Sequence, residues 1–112
     1  MKRNFIKLIK EMKDDKPVFN TYLTPSFISF RKMYEAADVQ DEVQDADQEN
    51  ERKAMDEMLD MVVSIYDNQF TRDQLIDGLH SPDAIRTLNE QIDWVAQGRM
   101  NEDAKKELAK MV

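Results

Sequence analysis

The chain contains no cysteine, only two glycines and only three prolines, and each shortage removes a class of answers. Without thiols there is no disulfide framework, no Cys-based zinc site and no thiolate nucleophile. No apolar run reaches membrane-spanning length. The basic start MKRNFIKLIKEMK is interrupted by Lys7, Lys10 and Glu11, so it reads neither as a signal-peptide core nor as a span. Positive charge is also short: 16 Lys and Arg face 23 Asp and Glu, for a net charge of −7, which opposes nonspecific attraction to nucleic acid or anionic lipid. Glycine-rich phosphate loops and Ser or Cys nucleophile motifs are missing, so neither an enzyme nor a cofactor is expected. What is plentiful is methionine, eight in 112 residues, which with so little glycine and proline suits a helical protein with an adaptable apolar surface. The expectation is a single, mainly α domain over residues 1–112, of about four to six helices, soluble and intracellular.

The stretch from Tyr66 to Ile92, YDNQFTRDQLIDGLHSPDAIRTLNEQI, is the most informative. Thr71 and Gln74 have capping-box spacing, in which the hydroxyl accepts from the Gln74 N–H and the Gln74 side chain returns to the Thr71 amide. Phe70 and Leu75 bracket the box as a hydrophobic staple. Gly78 is expected to close that short helix in the left-handed conformation. Ser81-Pro82-Asp83 then opens another helix, with a hydroxyl N-cap, proline at N1 and a carboxylate at the positive end of the dipole.

Along the chain, Phe5, Leu8, Ile9 and Met12 fall at i, i+3, i+4 and i+7, which favours an amphipathic helix, although FIKLI is also apolar and short enough for a strand. Lys13-Asp14-Asp15-Lys16-Pro17 is a polar turn, and Val18 to Leu23 reads as a short extended segment near residues 18–23. Thr24-Pro25 repeats the hydroxyl-proline helix start, with Phe27, Phe30, Tyr34 and Ala37 along one apolar face. From about residue 39 to 50 the chain is acidic and reads as an exposed, mobile connector, with extension of the preceding helix into part of it equally consistent. Met55, Met58, Leu59, Val62, Val63, Ile65 and Tyr66 make the next helix the central one. Ile85, Leu88, Ile92 and Val95 form a seam against it, Gly98 ends that helix, and Asn101 caps a last short helix with Ala104, Leu108 and Met111 in a stripe.

Candidate chemistry is thin. His80 stands alone in a turn and cannot build a zinc site with no cysteine and no second histidine. Asp45, Asp47 and Glu49 have the opening spacing of a calcium loop, but Asn50 stands where glycine is needed and Asp56 where a bidentate glutamate belongs. The helices around Gly78 have helix-turn-helix spacing, yet the second offers Arg86 alone against Asp83, Glu90 and Asp93. No catalytic, cofactor-binding or metal residue is therefore assigned. The candidate partner-binding residues are the terminal stripes: Phe5, Leu8, Ile9 and Met12 at one end, Leu108 and Met111 at the other. The candidate structural residues are Phe70, Thr71, Gln74, Leu75, Gly78, Ser81 and Pro82.

The run Tyr66 to Gly98, with NQFT, QLIDGLH, SPDAIRTLNEQI and VAQG, and the earlier TYLTPSFISFRKMYEAAD, resemble the tail assembly chaperones of long-tailed (siphovirus-type) bacteriophages of Gram-positive hosts. The resemblance extends over most residues from about Thr21 to Gly98. It implies a protein of the host cell cytoplasm, absent from the mature virion, that coats the tape measure protein to keep it soluble while the tail tube polymerises; self-association into a homo-oligomer is expected from the terminal apolar stripes, with the net charge of −7 restraining open-ended aggregation. It also implies a longer, frameshifted form that recruits the tail tube protein, of which this chain would be the short version. The alternative from the residues alone is a phage or prophage helix-turn-helix transcriptional regulator.

Overall fold

The computed structural model describes residues 3–98 and 102–111, the side chain of Met111 excepted. A hairpin comes first, β1 (Phe5–Lys13) and β2 (Lys16–Leu23), paired antiparallel with Phe5 opposite Leu23 and Lys13 opposite Lys16. Five helices follow among the described residues: α1 (Arg31–Asp45), α2 (Glu51–Ile65), α3 (Arg72–Gly78), α4 (Ser81–Gln97) and α5 (Glu102–Met111). The fold is helix-dominated with a two-stranded sheet, mixed rather than purely α.

The helix expected over Phe5 to Met12 is thus a strand, and the reason lies in its partner. An eight-residue helix is marginal by itself, whereas Val18 to Leu23 offers a β-rich strand across a two-residue loop. Asp14 and Asp15 both take the left-handed conformation, with φ of 52° and 61°, the geometry a tight hairpin turn needs. A register shift between Ile9 and Glu11 alters the alternation halfway along β1. Ile6 and Leu8 enter the main core, while Lys7 and Ile9 lie half-buried.

The core is centred on α2, whose Met58, Leu59, Met61, Val62 and Ile65 are buried, as the central-helix expectation required. α1 and α4 pack on it and on each other, and α3 bridges α2 and β1. α1 begins seven residues after Thr24, not at it. The Thr24 hydroxyl is fully buried and accepts from the Asn4 N–H at 3.0 Å, so it is not available to cap a helix. Ser29 takes over part of that task, its hydroxyl accepting from the Arg31 N–H at 3.3 Å. The face of α1 turned inward is also different: Ala36 is buried, with Val39 and Val43 against the core, while Phe27, Phe30 and Tyr34 stay in solvent. The acidic stretch from 39 to 50 is therefore helical as far as Asp45, leaving a short link before α2. In that link Asp47 accepts from the Asn50 N–H at 3.1 Å and from its side-chain amide at 2.9 Å.

The capping box at α3 forms as read: the Thr71 hydroxyl accepts from Gln74 N–H at 3.1 Å and Gln74 Oε1 accepts from Thr71 N–H at 2.8 Å. Phe70 and Leu75 are both buried in the core. Two helix ends differ. Gly78 is the last residue of α3 and does not have positive φ; a Cβ there would stand 2.8 Å from the Leu8 Cβ, so this glycine is where α3 and β1 touch. The left-handed pair in this stretch is instead Asp67 and Asn68, φ 56° and 61°, with the Asn68 N–H donating back to the Val63 carbonyl at 3.1 Å. At α4 the N-cap position is His80, with no side-chain cap bond; Ser81 is already helical, and Pro82 sits in the first turn. Gly98 does end α4 in the left-handed conformation, φ 71°, with its N–H donating to the Trp94 carbonyl at 2.8 Å.

Candidate functional site

A polar knot holds the hairpin to the helices. Gln91, on the buried side of α4, accepts at Oε1 from the Tyr66 hydroxyl at 2.5 Å and from Asn4 Nδ2 at 3.3 Å, and donates from Nε2 to the Phe5 carbonyl at 2.8 Å. Every polar atom of that amide is thereby used, which is what makes its burial tolerable. Burial pushes the Tyr66 hydroxyl well above the ordinary phenol range, with the bond to Gln91 working in the opposite direction. No spacing rule marks Gln91, because a lone glutamine in an apolar seam looks like a surface residue until its partners, distant in sequence, arrive.

With the hairpin held there, a groove of about 1030 Å³ opens between its outer side, α4 and α5. Ile9, Met12, Pro17, Phe19 and Leu79 supply apolar lining, and Thr87 of α4 and Ala104 of α5 stand across from them. Its acidic residues are Asp83, Glu90, Asp93, Asp103 and Glu107. The Lys7 ammonium pairs with the Glu107 carboxylate and also lies 5.3 Å from the Phe19 ring centroid, so hairpin and α5 are tied across the groove.

The terminal stripes are divided by this arrangement. Phe5 and Leu8 are buried, Leu8 against Gly78, so neither is presented to a partner. Ile9 is half-buried and Met12 is 60% exposed, both on the groove. Leu108 is half-buried on α5. The side chain of Met111, and Met100 and Asn101 altogether, lie outside the described residues.

The apolar face expected at Phe27, Phe30, Tyr34 and Ala37 supplies a second apolar surface. Phe27 and Phe30 are each 68% exposed and Tyr34 60%, Phe30 and Tyr34 meeting edge to face with centroids 5.4 Å apart. Beside them a cleft of about 650 Å³ is lined by Phe27, Ile28, Phe30 and Met33 from the segment before and into α1, and by Trp94 and Val95 near the end of α4. The signal was present: Ala36, Val39 and Val43 are a competing apolar face on the same helix, and small residues allow the closer approach to α2 and α4.

Other candidates have ordinary settings. His80 is exposed before α4, and among the described residues no three His, Cys, Asp or Glu side chains converge to hold a metal. Arg86 donates to Asp83 at 2.8 Å and lies 3.9 Å from Glu90, so the one cation of α4 is already shared between carboxylates. No described helix is long and apolar enough to cross a membrane. Compared with known proteins, residues 1–112 match the family model described as phage tail chaperone protein. No curated protein and no solved structure matches the chain.

Proposed function

This chain belongs to the phage tail chaperone family, and from that premise we propose that it binds the tape measure protein of a long-tailed phage and keeps it soluble during tail tube assembly. It acts by binding rather than by catalysis, in the host cell cytoplasm, and leaves before the virion is complete. The observation that carries this reading is the family match over the whole chain, joined to the apolar side chains that a tightly packed, acidic protein leaves in solvent, among them Met12, Phe27, Phe30 and Tyr34. Single exposed apolar residues are common, but three large aromatics within eight residues are a costly arrangement for a protein without a partner. Many weak contacts along a long helical client suit a chaperone that must be displaced by tube subunits, since effective concentration holds the assembly while each contact stays reversible.

The test is co-expression with the tape measure protein of the same phage, followed by measurement of its soluble fraction and co-purification. The tape measure protein should be soluble and recovered with this chain, and aggregated without it. Equal solubility in both cases would remove the proposal.

A further inference from the structure

We propose that α5 is the chain's own stand-in for a client in the groove beside the hairpin, and that an amphipathic helix of the tape measure protein displaces it, bringing a carboxylate to Lys7 in place of Glu107. The identity of the client rests on the reading above; the site and its regulation are added to it. The groove already holds a helix of the kind it would accept. Ala104, Glu107 and Leu108 are the half-buried residues of α5, at i, i+3 and i+4, while the others of residues 102–110 are exposed. That face lies beside the hairpin as an amphipathic stripe, with its carboxylate on the Lys7 ammonium. Among the described residues lining the groove Lys7 is the one lysine or arginine, so a helix carboxylate has a single anchor there. Asp83 and Glu90 already share Arg86.

Two features make α5 a weak occupant. Its stripe is shallow: Ala104 is the apolar side chain that α5 brings to the lining, and Met12 and Phe19 across from it stay 60% and 42% exposed. A helix with leucine, methionine or phenylalanine at that position covers more of this apolar surface, which favours the exchange. The polar hold is the Lys7–Glu107 pair, partly exposed on both sides and therefore screened by water. A ten-residue helix is marginal once undocked, so α5 loses its order when the client takes its place. The client in turn competes with a segment that is always attached, and its apparent affinity is lowered by the fraction of chains in which α5 is docked. Reversible holding of the client is thus set by residues of this chain.

Amide hydrogen exchange of the full chain, free and in its purified complex with the tape measure protein of the same phage, tests this. Binding should speed exchange over residues 102–110 and slow it over β1 and β2. Dissociation of the complex on dilution gives an apparent Kd for a double-mutant cycle, with unchanged far-ultraviolet circular dichroism establishing that the variants are folded. Glu107→Gln should tighten binding about two- to fivefold, the equilibrium weight of a partly exposed ion pair. It should give no gain in a Lys7→Gln background, because the same ammonium holds α5 and the client in turn. A tape measure protein that the wild type does not bind removes this proposal together with the earlier one. Binding with unchanged or slower exchange over α5, no gain from Glu107→Gln, or an equal gain without Lys7 overturns this proposal alone. Exchange over α5 that rises with the concentration of the chain by itself also overturns it, and assigns the groove to a second copy.

Discussion

Tyr66 and Gln91 set how tightly the helical core and the hairpin are joined. The folded state resists ionising the buried Tyr66 hydroxyl, whereas the unfolded chain ionises it near the usual tyrosine value of about 10. Below that pH the hydroxyl is neutral in both states. Above it, the unfolded chain loses a proton that the folded chain keeps, so stability falls as pH rises from about 10 upward. Tyr66→Phe should cost about 1 kcal/mol at neutral pH and show a shallower alkaline decline than the wild type in urea titrations across pH 9 to 11. Gln91→Leu should cost more than Tyr66→Phe at neutral pH, since it strands the Tyr66 hydroxyl, the Asn4 amide and the Phe5 carbonyl together. An alkaline decline as steep in Tyr66→Phe as in the wild type would mean that this hydroxyl is not held neutral.

At the scale of elements, the two glycines do unlike things. Gly98 ends α4 with positive φ and has no atom within 4 Å of where a Cβ would lie; Gly78 has a helical backbone and no room. Asparagine tolerates the left-handed conformation, so Gly98→Asn should shift stability by only a few tenths of a kcal/mol. Gly78→Asn should cost about 1 to 3 kcal/mol by forcing β1 away from α3. Chemical denaturation separates the two positions. Comparable small losses at both would show that β1 does not approach α3 as closely as the 2.8 Å to Leu8 requires.

For the molecule as a whole, stability resides in the packing of α1, α2, α4 and the hairpin, and α5 is an addition to it. None of residues 102–110 is buried, and the Lys7–Glu107 pair that ties α5 to the hairpin is partly exposed, where an ion pair contributes about 0 to 1 kcal/mol. A chain ending at Gly98 should therefore keep a cooperative thermal transition, with Tm lowered by less than about 8 °C. Loss of the transition would place α5 in the core. The same truncation removes one wall of the groove, so it separates folding from whatever the groove binds.

Several features were decided by neighbouring residues and were legible in the sequence: the Thr71–Gln74 box, the end of α4 at Gly98, the central place of α2 and the extended segment ahead of Thr24. Each depends on contacts within a few positions or on a long, consistent apolar period, which the order of residues specifies directly. The strand at Phe5 to Lys13, the buried hydroxyl of Thr24, the close approach at Gly78 and the outward turn of Phe27, Phe30 and Tyr34 were decided by tertiary structure. All four rest on partners far away in the chain: Leu23 for Phe5, Asn4 for Thr24, Leu8 for Gly78, and α2 and α4 for the opposite face of α1. An apolar spacing such as that of Phe5, Leu8, Ile9 and Met12 fits a helix or a bulged strand equally well, and only the energy of pairing and packing chooses between them. The groove and the exposed aromatic surface follow from those choices, because a surface exists only after the core has taken the side chains it can hold.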